Sequence, residues 1–285
     1  MKPVRRSKVG TIKDAVDLIK DGDHFAIGGM FHHNHPCAIT REVIRRGIKR
    51  LNLWSSPPCS FDPDLLIAAG LVERTYLAYV GFEHMGFAPF FRKAVENGEI
   101  DAVLCDESTL AGALLATIEG LPYHPVTSLR GTDTARLTPM AQEYIAPTGD
   151  KLMAVRAMAP DVAVLVVTES DEYGNGRHMG SVFMDLILAK AAKKVILQVE
   201  QIVPHEKVLA EPYRTTIPAV FVDMVVEVPW GAHPCSSHMC YLQDEDHMRE
   251  YVECAKLTIS GQDPQAFPNY MQKYVYGPRD HFDYL

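Results

Sequence analysis

Short apolar runs alternate with segments of helical period along most of the chain, as strands and helices do when they take turns. Between Thr11 and Lys20, Ile12, Ala15, Val16 and Ile19 share one helical face. Thr11 can cap that helix, and Asp21-Gly22-Asp23 ends it with turn chemistry. His24–Gly29 then predicts a buried strand running into glycines. Pro36–Gly47 predicts a helix opened by proline, closed by glycine and basic in its last turn. Leu51–Ser55 is the next strand, and Asp64–Ala69 a short helix before Gly70. Thr75–Val80 predicts a strand, and Pro89–Asn97 a helix stopped by Gly98. Ala102–Cys105 is a strand, Ser108–Glu119 a helix with Gly120 just past it, and Val126–Leu129 a further strand. Val162–Thr168, Lys194–Val199 and Val220–Val228 are rich in β-branched residues and suit central strands covered on both faces. Met184–Ala192 is a helix between the first two of these. The aromatic C-terminal third predicts helices that close the sheet edge or meet a partner. The alternation predicts an α/β fold on a mainly parallel sheet, in one domain spanning residues 1–285.

Composition narrows the function classes. The chain has 285 residues, 47% hydrophobic and 22% charged, enough apolar material for a large core. A net charge of -8 is opposed to the basic face of a nucleic-acid binder. The basic cluster Lys2, Arg5, Arg6 and Lys8 reads as a solvated N-terminal tail. The longest apolar run, Val162–Val167, is of strand length, so no membrane span is expected. The first residues carry charges throughout and show no signal-peptide block, which makes a cytoplasmic setting the expectation. Six cysteines without a C-x-x-C pair fit reduced thiols. Cys235 and Cys240 lie near His233 and His238, but a second well-spaced ligand pair is missing, and no metal is expected.

Ligands of open α/β sheets sit beyond the carboxyl ends of the strands, so the strand-exit loops hold the candidate chemistry. Ile27-Gly28-Gly29-Met30-Phe31 permits positive φ and close backbone approach. It reads either as a tight turn or as a set of N–H donors for a phosphate or oxyanion. Its spacing is not G-x-G-x-x-G, and no G-x-x-x-x-G-K-[ST] occurs, which disfavours the standard nucleotide sites. His32-His33-Asn34-His35-Pro36 offers imidazoles either for proton transfer or as polar surface. In Cys105-Asp106-Glu107-Ser108, Asp106 or Ser108 caps the following helix. Glu107 either complements the helix dipole or works as an acid or base, and Cys105 is a packed thiol. Trp230-Gly231-Ala232-His233-Pro234 is a pocket wall or a subunit contact. Arg130 is a candidate partner for a substrate carboxylate, or a structural ion pair. Glu172–Gly176 is a turn, and no G-x-S-x-G elbow supports a hydrolase triad.

Taken in order, these segments resemble the A subunits of class I coenzyme A transferases, the glutaconate CoA-transferase type above all. Asp21–Gly29 is similar to the family's GDxIAxGG opening, Leu65–Val72 to LIxxGxV, and Gly120–Val126 to GLPFxPV. Asp171–Asn175 follows Asp161–Leu165 as a DxxGN-like turn. Val222–Val226 and Pro229–Pro234 resemble VDAVV and PxGAHP. The resemblance covers nearly the whole chain.

The resemblance implies an open, mainly parallel sheet with helices on both faces. It also implies, for partner, a CoA transferase B subunit, in a heterodimer, heterotetramer or larger assembly. The B subunit would supply the attacking glutamate, so this chain alone would be inactive. A coenzyme A thioester is implied as substrate, with no permanently bound cofactor. Gly28 and Gly29 would stabilise the thioester oxyanion through their backbone donors, with Met30, Phe31, His32 and Arg130 around the acyl pocket. A subfamily question stays open. A steroid ring-opening CoA hydrolase of the same fold carries a working glutamate in a pattern similar to Asp106-Glu107-Ser108. Glutaconate CoA-transferase has a tyrosine at the place of Glu107. In the hydrolase reading, Glu107 activates water for addition to a ring ketone. An acyl-CoA decarboxylase is a third possibility, and a non-catalytic, pocket-shaping subunit is a fourth.

Overall fold

The structure, a computed structural model, describes residues 5–285; Lys2 of the basic N-terminal cluster lies outside the described residues. In chain order the elements open with α1 (Ile12–Val16), β1 (His24–Ile27), α2 (Cys37–Arg46), β2 (Leu51–Ser55), α3 (Phe61–Ala68), β3 (Val72–Tyr76), α4 (Pro89–Glu96), β4 (Asp101–Ala102) and α5 (Glu107–Glu119). There follow β5 (Tyr123–Val126), α6 (Thr134–Leu137), β6 (Ala141–Ile145), β7 (Lys151–Arg156), β8 (Val162–Ser170), β9 (Gly176–Arg177), α7 (Asp185–Ala191), β10 (Lys194–Ile202), α8 (His205–Ala210) and β11 (Met224–Glu227). Three helices close the chain: α9 (Glu245–Ser260), α10 (Ala266–Met271) and α11 (His281–Tyr284).

The large sheet has the order β11-β10-β8-β1-β2-β3-β4, parallel throughout, with β9 antiparallel beside β8. Its two faces are covered by separate cores. One gathers α1 to α4, α9 and α10, and the other α5, α7 and β7. Burial on both faces explains the unbroken apolar run in β8, where no residue of 162–167 is more than 1% exposed. Each large side chain there contributes roughly 1.5–3 kcal/mol of gross burial free energy. The expected mainly parallel α/β sheet with helices on both faces is what the chain builds.

Several boundaries move. The first helix stops at Val16 rather than Lys20 and unwinds into turns. The strand expected at Thr75–Val80 is Val72–Tyr76, because Leu51–Trp54 of β2 sets its register from Val72 onward. Of Val220–Val228, only Met224–Glu227 pairs in the sheet. Ala219–Phe221 is a single 3-10 turn after Pro218, and Asp223 exchanges backbone and side-chain bonds with Val195 before β11 begins. Residues 127–129 are loop, since that strand is Tyr123–Val126. It belongs to a second, antiparallel sheet of order β5-β7-β6. Along β7, Met153 and Val155 are buried on one face while Leu152 and Ala154 on the other are half-buried and Arg156 is exposed, the period of a half-covered strand. Gly112 lets α5 lie close on this sheet: a Cβ there would stand 3.2 Å from Val126 Cγ1.

Candidate functional site

The chain leaves β1 through α2 onto one face and leaves β8 through α7 onto the other, and β1 and β8 are neighbours. The sheet order therefore reverses between them. The crevice at such a switch point, outside the strand carboxyl ends, is where open α/β sheets hold ligands. Gly28 and Gly29 leave β1 there, and β8 runs on past them through Thr168 and Glu169 to Ser170.

Two loops roof this crevice, and they are zipped together. Asn34 N–H donates to Ser236 O at 2.8 Å, and Ser236 N–H to His32 O at 2.7 Å. His238 N–H donates to Asn34 Oδ1 at 3.1 Å. Residues about two hundred positions apart thus form one layer, and Phe31 and Asn34 take φ of 50° and 56° to follow the tight path. Gly29 has φ +86°, and a Cβ on it would stand 2.4 Å from His33 O, so only glycine fits.

The expected oxyanion role of Gly28 and Gly29 needs correcting on this geometry. Both are buried. Gly28 N–H donates to Val164 O at 3.0 Å, and Gly29 N–H to the carboxylate of Asp185 at 3.0 Å. Met30 N–H is held by His33 O at 3.0 Å and Phe31 N–H by Pro58 O at 2.7 Å. These donors tie the turn to its own chain, and the glycines serve close approach. A Cβ on Gly28 would stand 2.6 Å from Asp185 Oδ1. Met30 and Phe31 are half-buried at the rim of the crevice. His32 sits behind it, 2% exposed, with Nδ1 3.0 Å from Ser60 Oγ. Burial pushes it down to about 4, so it is neutral near pH 7.

Sequence reasoning missed the buried pair His178 and Asp185, 3.1 Å apart at Nε2 and Oδ2, with His178 Nδ1 2.7 Å from Thr216 Oγ1. It also missed that His33 and His238 meet, their ring centroids 5.1 Å apart. The loop Trp230–Pro234 is a wall within the chain: Trp230 stacks on Tyr241 at 4.3 Å, and Gly231 O accepts from Ala38 N–H.

Glu107 lies at the first turn of α5, on the exit side of edge strand β4. Asp106 is the cap, accepting from Thr109 N–H at 2.7 Å, and Ser108 is not. Glu107 is exposed, and among the described residues its carboxylate has neither ion pair nor hydrogen bond. Cys105 is half-buried, and burial with the charge of Asp106 pushes its thiol up to about 12, which excludes a thiolate nucleophile. Arg130 is exposed and donates to Thr127 O at 2.7 Å and Lys151 O at 3.0 Å. It staples the end of the small sheet, and among the described residues no ion pair engages it, which corrects the structural ion-pair expectation.

The cysteines and histidines near Cys235 do not converge on one point. Cys235 is buried against Cys37, Cys240 is exposed, and His238 turns to His33. His233, Asp244 and His247 do bring one ligand atom each within 4.8 Å of one another. His233 Nε2 already meets Asp244 Oδ2 at 3.1 Å, while Tyr284 and Tyr270 hydroxyls hold His233 Nδ1 and His247 Nε2, each at 2.7 Å. The Arg41 guanidinium donates to His233 O, and burial, with the Arg41 charge adding to it, lowers the proton affinity of both imidazoles. That charge also opposes a dication, so the donor set fits a metal poorly. Among the described residues, no helix is long and apolar enough to cross a membrane.

Comparison with known proteins agrees with this architecture. The family model for Coenzyme A transferase matches residues 9–228. The chain is 36% identical over 281 residues to a protein of Archaeoglobus fulgidus, covering 98% of this chain and 61% of that longer one. It is 31% identical to the A subunit of 3-oxoadipate CoA-transferase from Pseudomonas knackmussii, over 95% of this chain and 94% of that one. It is 30% identical to the cholesterol ring-cleaving hydrolase IpdA subunit of Rhodococcus jostii, over 98% and 95% of the two chains. The crystal structure of glutaconate coenzyme A-transferase from Acidaminococcus fermentans superposes with a TM-score of 0.91 at 28% identity, covering 98% of this chain and 92% of that one. The match of fold, switch point and sequence along nearly the whole length places this chain in the coenzyme A transferase family, among proteins named as its A subunits.

Proposed function

We propose that this chain is the A subunit of a two-subunit CoA transferase. It moves CoA between an acyl-CoA and a free acid, dicarboxylic acids included, and a B subunit supplies the attacking glutamate. One observation carries the reading. The carboxylates at the switch point are both buried and engaged: Asp185 by Gly29 N–H and His178, Glu169 by Arg177 at 3.1 Å and Lys207 at 2.5 Å. Neither is free to attack a thioester, which supports a nucleophile supplied from outside the chain. In the proposed reaction that carboxylate attacks the acyl-CoA carbonyl, forming a mixed anhydride and releasing CoA thiolate. The thiolate then attacks the glutamyl carbonyl, which frees the first acid and leaves an enzyme thioester for the second acid to reverse. The crevice between β1 and β8 would hold the acyl part. No cofactor stays bound between turnovers in this scheme, and the assembly is a heterodimer, heterotetramer or larger. Free thiols at all six cysteines support a reducing, cytoplasmic setting. The test is CoA exchange. The chain produced with its B subunit should exchange label between an acyl-CoA and free acid, and the purified chain alone should not. Exchange by the chain alone would end the split-site reading.

A second reading has its own observation. Glu107 is exposed and unpartnered while Asp106 does the capping, so its carboxylate is available to act as a base on water or substrate. In that case the assembled enzyme is a ring-cleaving acyl-CoA hydrolase or an acyl-CoA decarboxylase. Loss of turnover in Glu107→Gln, with no exchange of free acid in the native complex, would favour it.

A further inference from the structure

We infer that the imidazoles of His33 and His238, their ring centroids 5.1 Å apart over the strand exits, form through their Nε2 atoms the subsite that binds a carboxylate group of the substrate acid. The inference deepens the transferase reading and rests on it for the identity of the acid as substrate.

The two rings are fixed from behind and open in front. His33 Nδ1 lies 2.6 Å from Ser236 Oγ, and that hydroxyl in turn donates to His32 O at 3.1 Å. The serine proton is thus used, so Nδ1 of His33 is the donor and its Nε2 carries the lone pair. Asn34 Nδ2 approaches His238 Nδ1 at 3.5 Å, which leaves the proton of neutral His238 on Nε2. Among the described residues neither Nε2 has a hydrogen-bond partner, and both rings are half-buried. Phe183 stands 5.6 Å from His238, and Phe31 lies at the same rim, giving apolar walls for a carbon chain.

Charge points the same way. Among the described residues no carboxylate bonds to either imidazole. Glu83 is the acid whose charge acts on His33; His35 and His238 act against it, and His178 acts against His238. Asp185, beneath the glycine turn, is committed to His178 and Gly29. Burial first, and then the charges of neighbouring histidines, lower both rings from the ordinary histidine value, which favours the neutral form of the empty pair. A neutral pair presents one N–H and one lone pair. Uptake of a single proton turns both Nε2 atoms into donors and supplies the charge that a carboxylate needs. Binding is therefore coupled to one proton.

The carboxylate has two sources: the acid's own reacting group, or a second carboxylate at the far end of its chain. Butyrate and succinate, matched in carbon number, separate them. The experiment is a histidine-resolved NMR titration of the full chain, assembled with its B subunit, across pH 6 to 8. The expected result is a shift of His33 and His238 on binding, with affinity falling tenfold per pH unit above the pair's pKa. Succinate alone acting marks the distal source; both acids acting marks the reacting group. His33→Gln and His238→Gln keep polar ends that cannot be charged. Both should fold normally and bind about tenfold more weakly; the pH dependence should vanish in His33→Gln, which removes the group that takes the proton, and persist in His238→Gln. Wild-type affinity and slope in both variants, or no shift with either acid, would overturn the subsite. CoA exchange that survives this outcome leaves the transferase reading standing, while carboxylate binding without exchange sinks that reading and not the subsite.

Discussion

Two groups of histidines hang on one loop, and they have opposite chemistry. At one end His233 meets Asp244 at 3.1 Å and Tyr284 at 2.7 Å, and His247 meets Tyr270 at 2.7 Å. Aromatic rings enclose them, with His247 4.3 Å from Tyr274. Every bond there is internal. Five residues further on, His238 faces His33 with both Nε2 atoms open. Polar side chains with full sets of partners inside a chain hold it together, whereas partly buried ones without a partner await something from outside. The most ligand-like cluster by residue type, His233, Asp244 and His247, is therefore the structural one.

The largest expected effect falls on the turn beneath the open pair. Gly29→Ala forces φ +86° on an L-residue and drives a Cβ to 2.4 Å from His33 O, a backbone atom that cannot step aside. Urea unfolding should show a loss of about 3 kcal/mol or more. The His33 loop should shift while the His233 cluster keeps its NMR signature. Native stability in this variant would mean that the turn does not hold the roof as described.

Next come the clusters themselves. His247→Ala removes a buried ring and strands Tyr270, and should cost about 3 kcal/mol. His238→Ala removes a half-buried ring with weak partners and should cost under about 1 kcal/mol. Equal losses would erase the distinction between the two groups. pH sharpens it. Burial holds His247 down to about 3 and His281 to about 4, both well below the unfolded value near 6.5. Between those limits the unfolded chain binds protons that the folded chain does not, so stability is full above pH 6.5 and falls as pH drops toward 4. His247→Gln should flatten that fall, and His238→Gln should change it less. Tyr270→Phe, which leaves only His247 Nε2 unpaired, should cost about 1–2 kcal/mol.

How far the sequence carried depended on range. β8 and β10 were legible because their β-branched runs are buried on both faces, and α5 because Asp106 and Gly120 punctuate it. The small sheet was not, since Ala141–Ile145 and Lys151–Arg156 are half-polar and gain their strand character only from pairing with each other and packing under α5. The glycine turn was visible as a turn, but not that Asp185, more than 150 residues away, would take the Gly29 donor. The His33–His238 contact was equally hidden. Each residue was noted within its own loop, and only the return of the chain from β11 across the strand exits brings them together.

The smallest expected effect on stability belongs to Glu107, and it decides the most about function. Its carboxylate touches nothing among the described residues, and Asp106 retains the cap, so Glu107→Gln should stay within about 0.5 kcal/mol of the native protein. Any change in turnover of the assembled complex then reports chemistry rather than folding. If the B subunit carries the nucleophile, Glu107→Gln should exchange CoA at close to the native rate, because no step of the proposed sequence passes through it. If Glu107 is the general base, turnover should fall by roughly 10²–10⁴ while substrate affinity holds. A fall of that size with His33→Gln and His238→Gln nearly silent would move the working centre away from the switch point, to the exit of β4.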